Sequence, residues 1–350
     1  MQRLTTPTRF QLTPSRVGCV FAWIGMSIYA ASNSIATFLV NLGAANPLAD
    51  GSSAITFSKL FLLGSLISLV PLWFLFRRDW TRDNLRALTR GDYALLTVAS
   101  FLSTVLTPGL FFFALEHSNV TNVVLIGRIE PILFLVAASA FLKERIDPKY
   151  MLAGLIAFAG AALIISFRVR DEQCNFDVGE FAAIGATLSY VASALIARTA
   201  LQRIPMGVFS IYRTAVGTLM FFVMISVLQG PQEFHNILEP LMLRWIWLYA
   251  LVVIVAGQLI WFFALKYARS ADISLATSVS PLVSILFAML ILGEQPGAGL
   301  VPGTALILLA IYVAQRKTGV ALTSPVLRAV DSRVFSLGLV RAGWSRKARA

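Results

Sequence analysis

The stretch that decides the fold is FFALEHSNVTNVVLIGRIEPILFLVAASAFLKE, residues 112–144, which recurs in altered form at 262–294 as FFALKYARSADISLATSVSPLVSILFAMLILGE. At this offset of 150, nine of 33 ungapped positions are identical, and Pro131 matches Pro281. Two unrelated apolar helices share many residues by chance, but proline and glutamate are uncommon inside membrane helices. Identities at these two residue types therefore exceed what chance predicts. The sequence therefore predicts an internal repeat.

The composition around this repeat indicates a membrane protein. The chain has 350 residues, of which 57% are hydrophobic and 13% are charged, and its mean hydropathy is +0.77. Soluble chains carry about 25% charged residues, so this chain lacks the polar residues to cover a water-facing surface. In a soluble protein, a net charge of +12 would indicate a nucleic-acid partner. In a chain this hydrophobic we expect no nucleic-acid partner.

Ten stretches have the length that a membrane helix needs, about 20 apolar residues. Membrane barrels use shorter alternating strands, so these stretches predict an all-α polytopic protein in a lipid bilayer. The predicted spans are 17–42, 54–76, 93–115, 120–142, 148–167, 178–199, 206–228, 244–265, 271–292 and 299–315.

Basic residues are unequally divided between the predicted loops. One side of the membrane receives 23 of the 29 lysines and arginines and the other side receives three. The positive-inside rule then places both termini in the cytoplasm, which requires an even number of spans. We expect a protein of the cell membrane, with a cytoplasmic N-terminus at 1–16 and a basic cytoplasmic tail at 317–350.

The first and sixth predicted spans also match, with Tyr29 corresponding to Tyr190 among similar small residues. The sequence therefore predicts two five-helix repeats, 17–168 and 178–316. An odd number of spans gives the two repeats opposite orientations in the membrane. Inverted repeats are typical of carriers in which one half moves against the other around a midplane site.

Residues for several other classes of chemistry are missing from the sequence. The two cysteines, Cys19 and Cys174, and the two histidines, His117 and His235, have no metal-ligand spacing. No phosphate-binding loop of the type used by ATP-driven machines is present. We therefore expect no metal and no cofactor.

The repeated motifs resemble a known family. They are the Phe113-Ala114-Leu115 that ends the third span, Glu130-Pro131 and Leu142-x-Glu144 of the fourth, Phe263-Ala264-Leu265, Pro281 and Leu292-Gly293-Glu294 of the second half, and the cations Lys59 and Arg213. Ten spans with these motifs resemble the EamA-type branch of the drug/metabolite transporter superfamily. The resemblance covers about 17–316 and implies export or exchange of small organic solutes, amino-acid-like or other metabolites or drugs, driven by secondary gradients.

The run Gly127-Arg128-Ile129-Glu130-Pro131 lies near the middle of the fourth predicted span. Pro131 cannot donate a hydrogen bond to the carbonyl of Gly127, so this helix is predicted to kink and to expose a carbonyl to a cavity. Intramembrane charges mark transport paths by default. Glu130 is a candidate to take up a coupling proton or bind an amine, and Arg128 to hold a carboxylate or phosphate. The alternative is a structural ion pair that fixes the kink.

The second half replaces this charged pair by hydroxyls. Ser278 and Ser280 stand at the positions that correspond to Arg128 and Glu130, and Pro281 repeats the predicted kink. Because the halves differ in this way, we expect the solute to bind asymmetrically.

Two further cations fall inside predicted spans. Lys59 and Arg213 lie in the second and seventh spans. They either extend to the interface or act as a gate or anion contact. The four intramembrane charges favour an anionic or zwitterionic solute.

Polar and aromatic side chains in other spans predict a pocket. They are Tyr29, Asn33, Tyr190, Ser193, Gln258 and Trp261. Each alone is explained equally well by bonding between helices, but together they suggest an aromatic-walled site for an organic solute.

Two rival classes remain beside a transporter. An intramembrane enzyme needs paired acids, buried histidines or an activated nucleophile, and the predicted spans hold one acid and no histidine at depth. We therefore expect no enzyme. A receptor or scaffold is the third class. For packing, Gly160 and Gly303 are expected at close helix contacts, and Glu144 at an interface.

Overall fold

The computed structural model describes residues 14–48, 51–118, 120–144, 147–166, 178–293 and 297–315. Within these ranges the chain is helical, and its only strand-like feature is an isolated bridge between Pro47 and Ser53. Most of the predicted N-terminal segment, the tail at 317–350, Cys174 and Glu294 lie outside the described residues.

The N-terminal half, residues 14–166, contains eight α-helices. A π-helical segment, Leu102–Leu106, joins the fourth to the fifth. The helices are α1 Pro14–Ala44, α2 Phe57–Phe76, α3 Arg82–Arg86, α4 Arg90–Phe101, α5 Thr107–His117, α6 Val120–Gly127, α7 Glu130–Leu142 and α8 Pro148–Ser166.

The C-terminal half, residues 178–315, contains seven α-helices and a short 3₁₀ turn, Pro231–Phe234. A second π-helical segment, Tyr249–Gly257, joins the third helix of this half to the fourth. The helices are α9 Val178–Ala200, α10 Met206–Leu228, α11 Pro240–Leu248, α12 Gln258–Tyr267, α13 Ser270–Ser278, α14 Ser280–Leu292 and α15 Leu300–Gln315.

Many of these helices are long and apolar enough to cross a membrane. Eight continuous stretches qualify within the described residues, and α13 with α14 makes a ninth if this pair, bent by 41°, is one span. The remaining apolar helix, α15, has 16 residues. The prediction of an all-helical, multi-pass membrane protein is confirmed, whereas the count of ten spans stays a prediction.

The offset of 150 that relates the two sequence segments also relates local backbone features. The boundaries of α7, Glu130–Leu142, correspond residue for residue to those of α14, Ser280–Leu292. Both helices end on a left-handed residue, Lys143 with φ 54° and Gly293 with φ 68°. The first π-helical segment likewise corresponds to positions inside the second. The chain therefore repeats its helix breaks as well as its motifs.

Side-chain caps explain where two of the helices begin. Thr56 accepts a hydrogen bond from the backbone N–H of Lys59 at the start of α2. Thr89 and Asp92 form a capping box at the start of α4. Such caps satisfy backbone donors that a helix leaves free at its first turn.

The two ends of the helical bundle are held by different contacts. At the end where α9 begins, Glu180 accepts hydrogen bonds from Ser118 and, at 2.9 Å, from Asn122; we call it the Glu180 end. At the other end of α9, the Arg198 guanidinium bonds Glu144; we call it the Arg198 end. The largest buried cluster packs the Arg198 end and includes Ala200 and Leu265.

Helices α8 and α15 approach closely at two glycines. A Cβ on Gly303 would lie 2.6 Å from the carbonyl oxygen of Gly160 and 2.4 Å from Cγ1 of Ile164. A Cβ on Gly160 would lie 2.7 Å from the carbonyl oxygen of Gly303. The expectation of close helix packing at these glycines is confirmed.

This contact predicts the effect of a single methyl group. Gly303→Ala should destabilise the protein by about 1–3 kcal/mol, because the opposing carbonyl cannot rotate away as a side chain does. The matched control is Gly109→Ala, whose Cβ would meet its nearest neighbour, Sδ of Met224, at an ordinary 3.5 Å. Thermal unfolding in detergent measures both, and equal midpoints for the two variants would refute the tight contact.

Candidate functional site

A cavity of about 560 Å³ lies among the helices of both halves. This volume is within the range of sites that bind small organic molecules. Most of the predicted site residues line it: Tyr29, Asn33, Gly127, Arg128, Glu130, Tyr190, Ser193, Arg213, Gln258, Trp261 and Ser280.

The cavity extends along the bundle and is closed at one end. It reaches Phe57, the first residue of α2, which is 42% exposed. At its other end it is bounded by Ala197 and Leu265, which are buried. Arg198 follows Ala197 and donates to the carbonyl of Leu265 at 3.0 Å. Buried residues therefore close the cavity next to the Arg198 contacts, and its exposed lining residue Phe57 lies at the start of α2.

Arg128 connects the two broken helix pairs. It lies in the turn between α6 and α7, and its Nη1 donates to Oγ of Ser280, the first residue of α14, at 3.2 Å. Its Nε is buried and has no hydrogen-bond partner among the described residues. This bond joins the break between α6 and α7 in the N-terminal half to the first residue of α14 in the C-terminal half.

In the part of the chain that the structure describes, Glu130 forms no ion pair with Arg128, although only one residue separates them. Among the described residues, the ion pairs join other partners. Glu130 nevertheless lines the same cavity as Arg128. Its first-turn position on α7 directs it to the cavity, where it is the one acid among the lining residues that the structure describes.

Arg213 of α10 supplies the second guanidinium in the cavity. Its Cζ lies 5.3 Å from the centre of the Phe262 ring, in a cation–π contact. Tyr29 and Tyr190 line the same cavity. Within the part of the chain that the structure describes, no carboxylate pairs with Arg213. Its charge therefore faces aromatic surface and the open cavity.

An aromatic and amide wall stands beside Arg213. Nε2 of Gln258 donates to Oγ1 of Thr214 at 3.1 Å. The rings of Tyr29 and Trp261 meet edge to face, with 5.9 Å between their centroids. These contacts fix the wall without using the guanidinium.

Breaks in the helices shape the cavity from several sides. Both π-helical segments contribute lining residues, among them Thr104 and Tyr249. The wider turn of the first segment is supported by α9, because Ser189 donates to the carbonyl of Leu102 at 3.2 Å. The interruptions at Ile129 and Val279 shorten the local hydrogen-bond ladder to i→i−3. Such irregular turns are common at functional sites.

Several predicted residues lie outside the main cavity. Ser278, Pro131 and Pro281 line a second cavity of about 10 Å³ behind the breaks, and Ser278 donates to the carbonyl of Ser274 at 2.7 Å. Lys59 is 3% exposed, and its ammonium donates to the carbonyl of Ser53 at 3.1 Å. We therefore leave Lys59 and Ser278 out of the proposed solute site.

Sequence reasoning missed several lining residues. They include Phe61, Thr104, Phe111, Thr187, Thr214 and Tyr249. Thr214 had a usable signal, because it follows Arg213 directly and is a hydroxyl in an apolar span. The aromatic residues had none, since rings that face lipid and rings that face a cavity look alike in sequence. The described residues contain no group of three or more potential metal ligands.

The fold and the cavity define a multi-pass helical membrane protein with a polar central site, and comparison with known proteins gives its family. The chain belongs to the EamA-like transporter family, whose model matches residues 17–166 and again 177–315. Membership supports a membrane transporter acting on a small-molecule solute.

Individual relatives agree with this assignment. An uncharacterized transporter of Synechocystis sp. is 36% identical over 296 residues, 83% of this chain and 84% of the relative. The uncharacterized transporter YetK of Bacillus subtilis is 23% identical, over 67% of this chain and 69% of its own. A solved crystal structure matches with a TM-score of 0.65 at 17% identity, covering 85% of this chain and 95% of that one, so its likeness concerns the fold.

Proposed function

We propose that this protein is a secondary active transporter that exports a small organic solute across the cell membrane by alternating access. The observation that carries the proposal is the cavity itself. It has a volume of about 560 Å³, the buried residues Ala197 and Leu265 bound it at one end, and its walls hold Arg128, Glu130 and Arg213. Charged groups inside the membrane are energetically costly, and those that are present usually mark a transport pathway.

The proposal includes ten spans in two inverted repeats with cytoplasmic termini. Support comes from the offset of 150 shared by the helix breaks, from the two successive family matches at 17–166 and 177–315, and from the distribution of basic residues. In this arrangement the broken pair α13 and α14 is one span and α15 is the tenth. The Arg198 end then faces the cytoplasm and the cavity opens outward.

Alternating access requires that the two halves move against each other around the solute. Arg128 and Ser280 belong to different halves and meet at the breaks. This contact is a suitable pivot because it joins the helix breaks of the two halves. The contacts of Arg198 then form the closed side and separate when the cavity opens to the cytoplasm.

A reconstitution experiment tests transport. Purified protein in proteoliposomes should carry labelled organic solutes, and an imposed proton gradient should accelerate their flux over that of protein-free vesicles. Folding is checked separately by thermal unfolding. Intact folding with no flux for any solute would refute the transport function and would favour a receptor, a scaffold or an enzyme.

A further inference from the structure

We propose that the transported solute is an organic anion with one net negative charge, whose acid group binds Arg213 and whose apolar body packs on the adjoining aromatic wall. This inference rests on the proposed function and specifies the solute of the same cavity. It follows from the charge of the lining, the free donors of one guanidinium and the surface beside it.

The charge of the lining is unequal. Among the described residues around the cavity, the charged ones are Arg128, Glu130 and Arg213. Lys59 is excluded because its ammonium binds the Ser53 carbonyl. Two cations therefore face one carboxylate, and a solute with a single net negative charge neutralises the occupied site. In a medium from which water is displaced, such neutralisation strongly favours binding.

The surplus positive charge lies at Arg213. Glu130 lies in the first turn of α7, two residues after Arg128, whereas no ion pair among the described residues involves Arg213. One nitrogen of Arg128 is already used on Ser280. Arg213 instead makes a cation–π contact with the Phe262 ring, with its Cζ 5.3 Å from the ring centre, and it lines the open volume of the cavity. A guanidinium edge fits a carboxylate with two parallel hydrogen bonds.

The surface next to Arg213 indicates which kind of solute body fits beside the acid group. Tyr29 and Trp261 form an edge-to-face pair, and Phe262 lies under the guanidinium. These rings border the same cavity. A planar or apolar body attached to the acid group would therefore lie against aromatic faces, a common arrangement in small-molecule sites.

Solutes of other charge fit this site less well. A cation could pair with Glu130 but would leave two positive charges in excess, and Coulomb repulsion opposes this at short distances. A zwitterion would fill both a guanidinium and Glu130 but would leave one positive charge in excess. A neutral alcohol would pack on the rings while the guanidinium stayed unpaired. The expected order of affinity is therefore anion, then zwitterion or alcohol, then cation.

Four related probes separate these classes. They are 3-phenylpropanoate, phenylalanine, 3-phenylpropan-1-ol and 2-phenylethylamine, which share a phenyl ring and differ in charge. Their affinity for the full-length protein in detergent is measured by calorimetry, and their flux is measured in proteoliposomes. We expect 3-phenylpropanoate to bind at least about 10-fold more tightly than each of the other probes. The difference corresponds to one charged hydrogen-bonded contact with the guanidinium.

Substitution of the guanidinium identifies the contact. Arg213→Gln should weaken 3-phenylpropanoate about 10- to 100-fold and leave the alcohol nearly unchanged. Arg213→Lys should keep part of the affinity, because the charge remains and the paired hydrogen bonds are lost. The control is Arg86→Gln, which removes the same charge from the exposed helix α3.

Binding and flux decide different claims. The anion inference is overturned if the amine or the alcohol binds as tightly as 3-phenylpropanoate, if none of the four probes binds, or if Arg213→Gln weakens acid and alcohol equally. If Arg213→Gln does not fold, the ranking of the four probes on the unaltered protein still decides. Flux of the amine instead of the acid would overturn the solute class and leave transport standing. Absence of flux for all solutes would refute transport.

Discussion

Replacing Glu130 by glutamine is expected to abolish the acceleration of solute flux by a proton gradient. Among the described residues that line the cavity, Glu130 is the one acid. A glutamine amide cannot take up and release a proton in the transport cycle. Exchange of solute across vesicles at equal pH should continue, because it needs no net proton movement. We expect the part of the flux that the proton gradient drives to fall at least about 10-fold, because loss of an essential proton-transfer group typically has an effect of this size or larger.

The matched control for this change is Glu116→Gln, which removes an exposed carboxylate near the end of α5. This variant should keep its response to the gradient. Flux through Glu130→Gln that is driven by the gradient as strongly as in the unaltered protein would contradict the role of Glu130 as proton carrier. The transport function would then stand with another coupling ion.

Replacing Arg198 by glutamine is expected to open the Arg198 end of the bundle. Its guanidinium donates to the carbonyl of Ala268 at 2.7 Å, to that of Leu265 at 3.0 Å, and to Glu144 at 2.9 Å. Glu144 belongs to the N-terminal half and the two carbonyls to the C-terminal half, so one side chain ties both halves beneath the cavity floor. Bonds of charged groups contribute about 1.5–3 kcal/mol each when they are not exposed.

The measurement is the rate at which a thiol reagent modifies Ala197→Cys, placed at the cavity floor, when the reagent is applied at the Arg198 end. The rate should rise about 10-fold or more in Arg198→Gln, because a loss of 1.4 kcal/mol changes an equilibrium about tenfold. Glu144→Gln should have a smaller effect, since the two bonds to carbonyls remain.

The control for this experiment is Arg269→Gln. Arg269 pairs with Asp272 at 2.8 Å within the first turn of α13, so it joins no two helices, and its side chain is 58% exposed. The hydrogen bond to Asp272 raises the pKa of the Arg269 guanidinium above its ordinary value. Equal modification rates in Arg198→Gln and Arg269→Gln would contradict the assignment of Arg198 as the closing contact.

The helical fold and much of the cavity were predictable from the sequence because both depend on local, strong signals. Hydrophobic length identifies membrane helices regardless of what they pack against. Pro131 and Pro281 mark the helices that break, although the interruptions occur two residues earlier, at Ile129 and Val279. Intramembrane polar residues such as Gln258 have few partners in lipid and therefore lie inward.

The environments of Lys59 and Arg213 show what sequence could not predict. The two cations correspond in the repeat, yet one binds a loop carbonyl and the other faces the cavity. The difference depends on the chain before α2, where Ser53 presents its carbonyl to the ammonium. Such a contact arises from the folded loop, and hydrophobic patterning carries no information about it. Span counting has a similar limit, because the bend between α13 and α14 divides one apolar stretch into two short helices.

The central claim is that solute passes through the cavity, and chemical modification at one cavity position tests it most directly. Ser284 of α14 lines the cavity, and Ser284→Cys is introduced with Cys19 and Cys174 replaced by serine. Reaction with a bulky membrane-impermeant thiol reagent should stop flux in proteoliposomes, and a transported solute should slow the reaction. Complete modification of this cysteine with unchanged flux would contradict the claim.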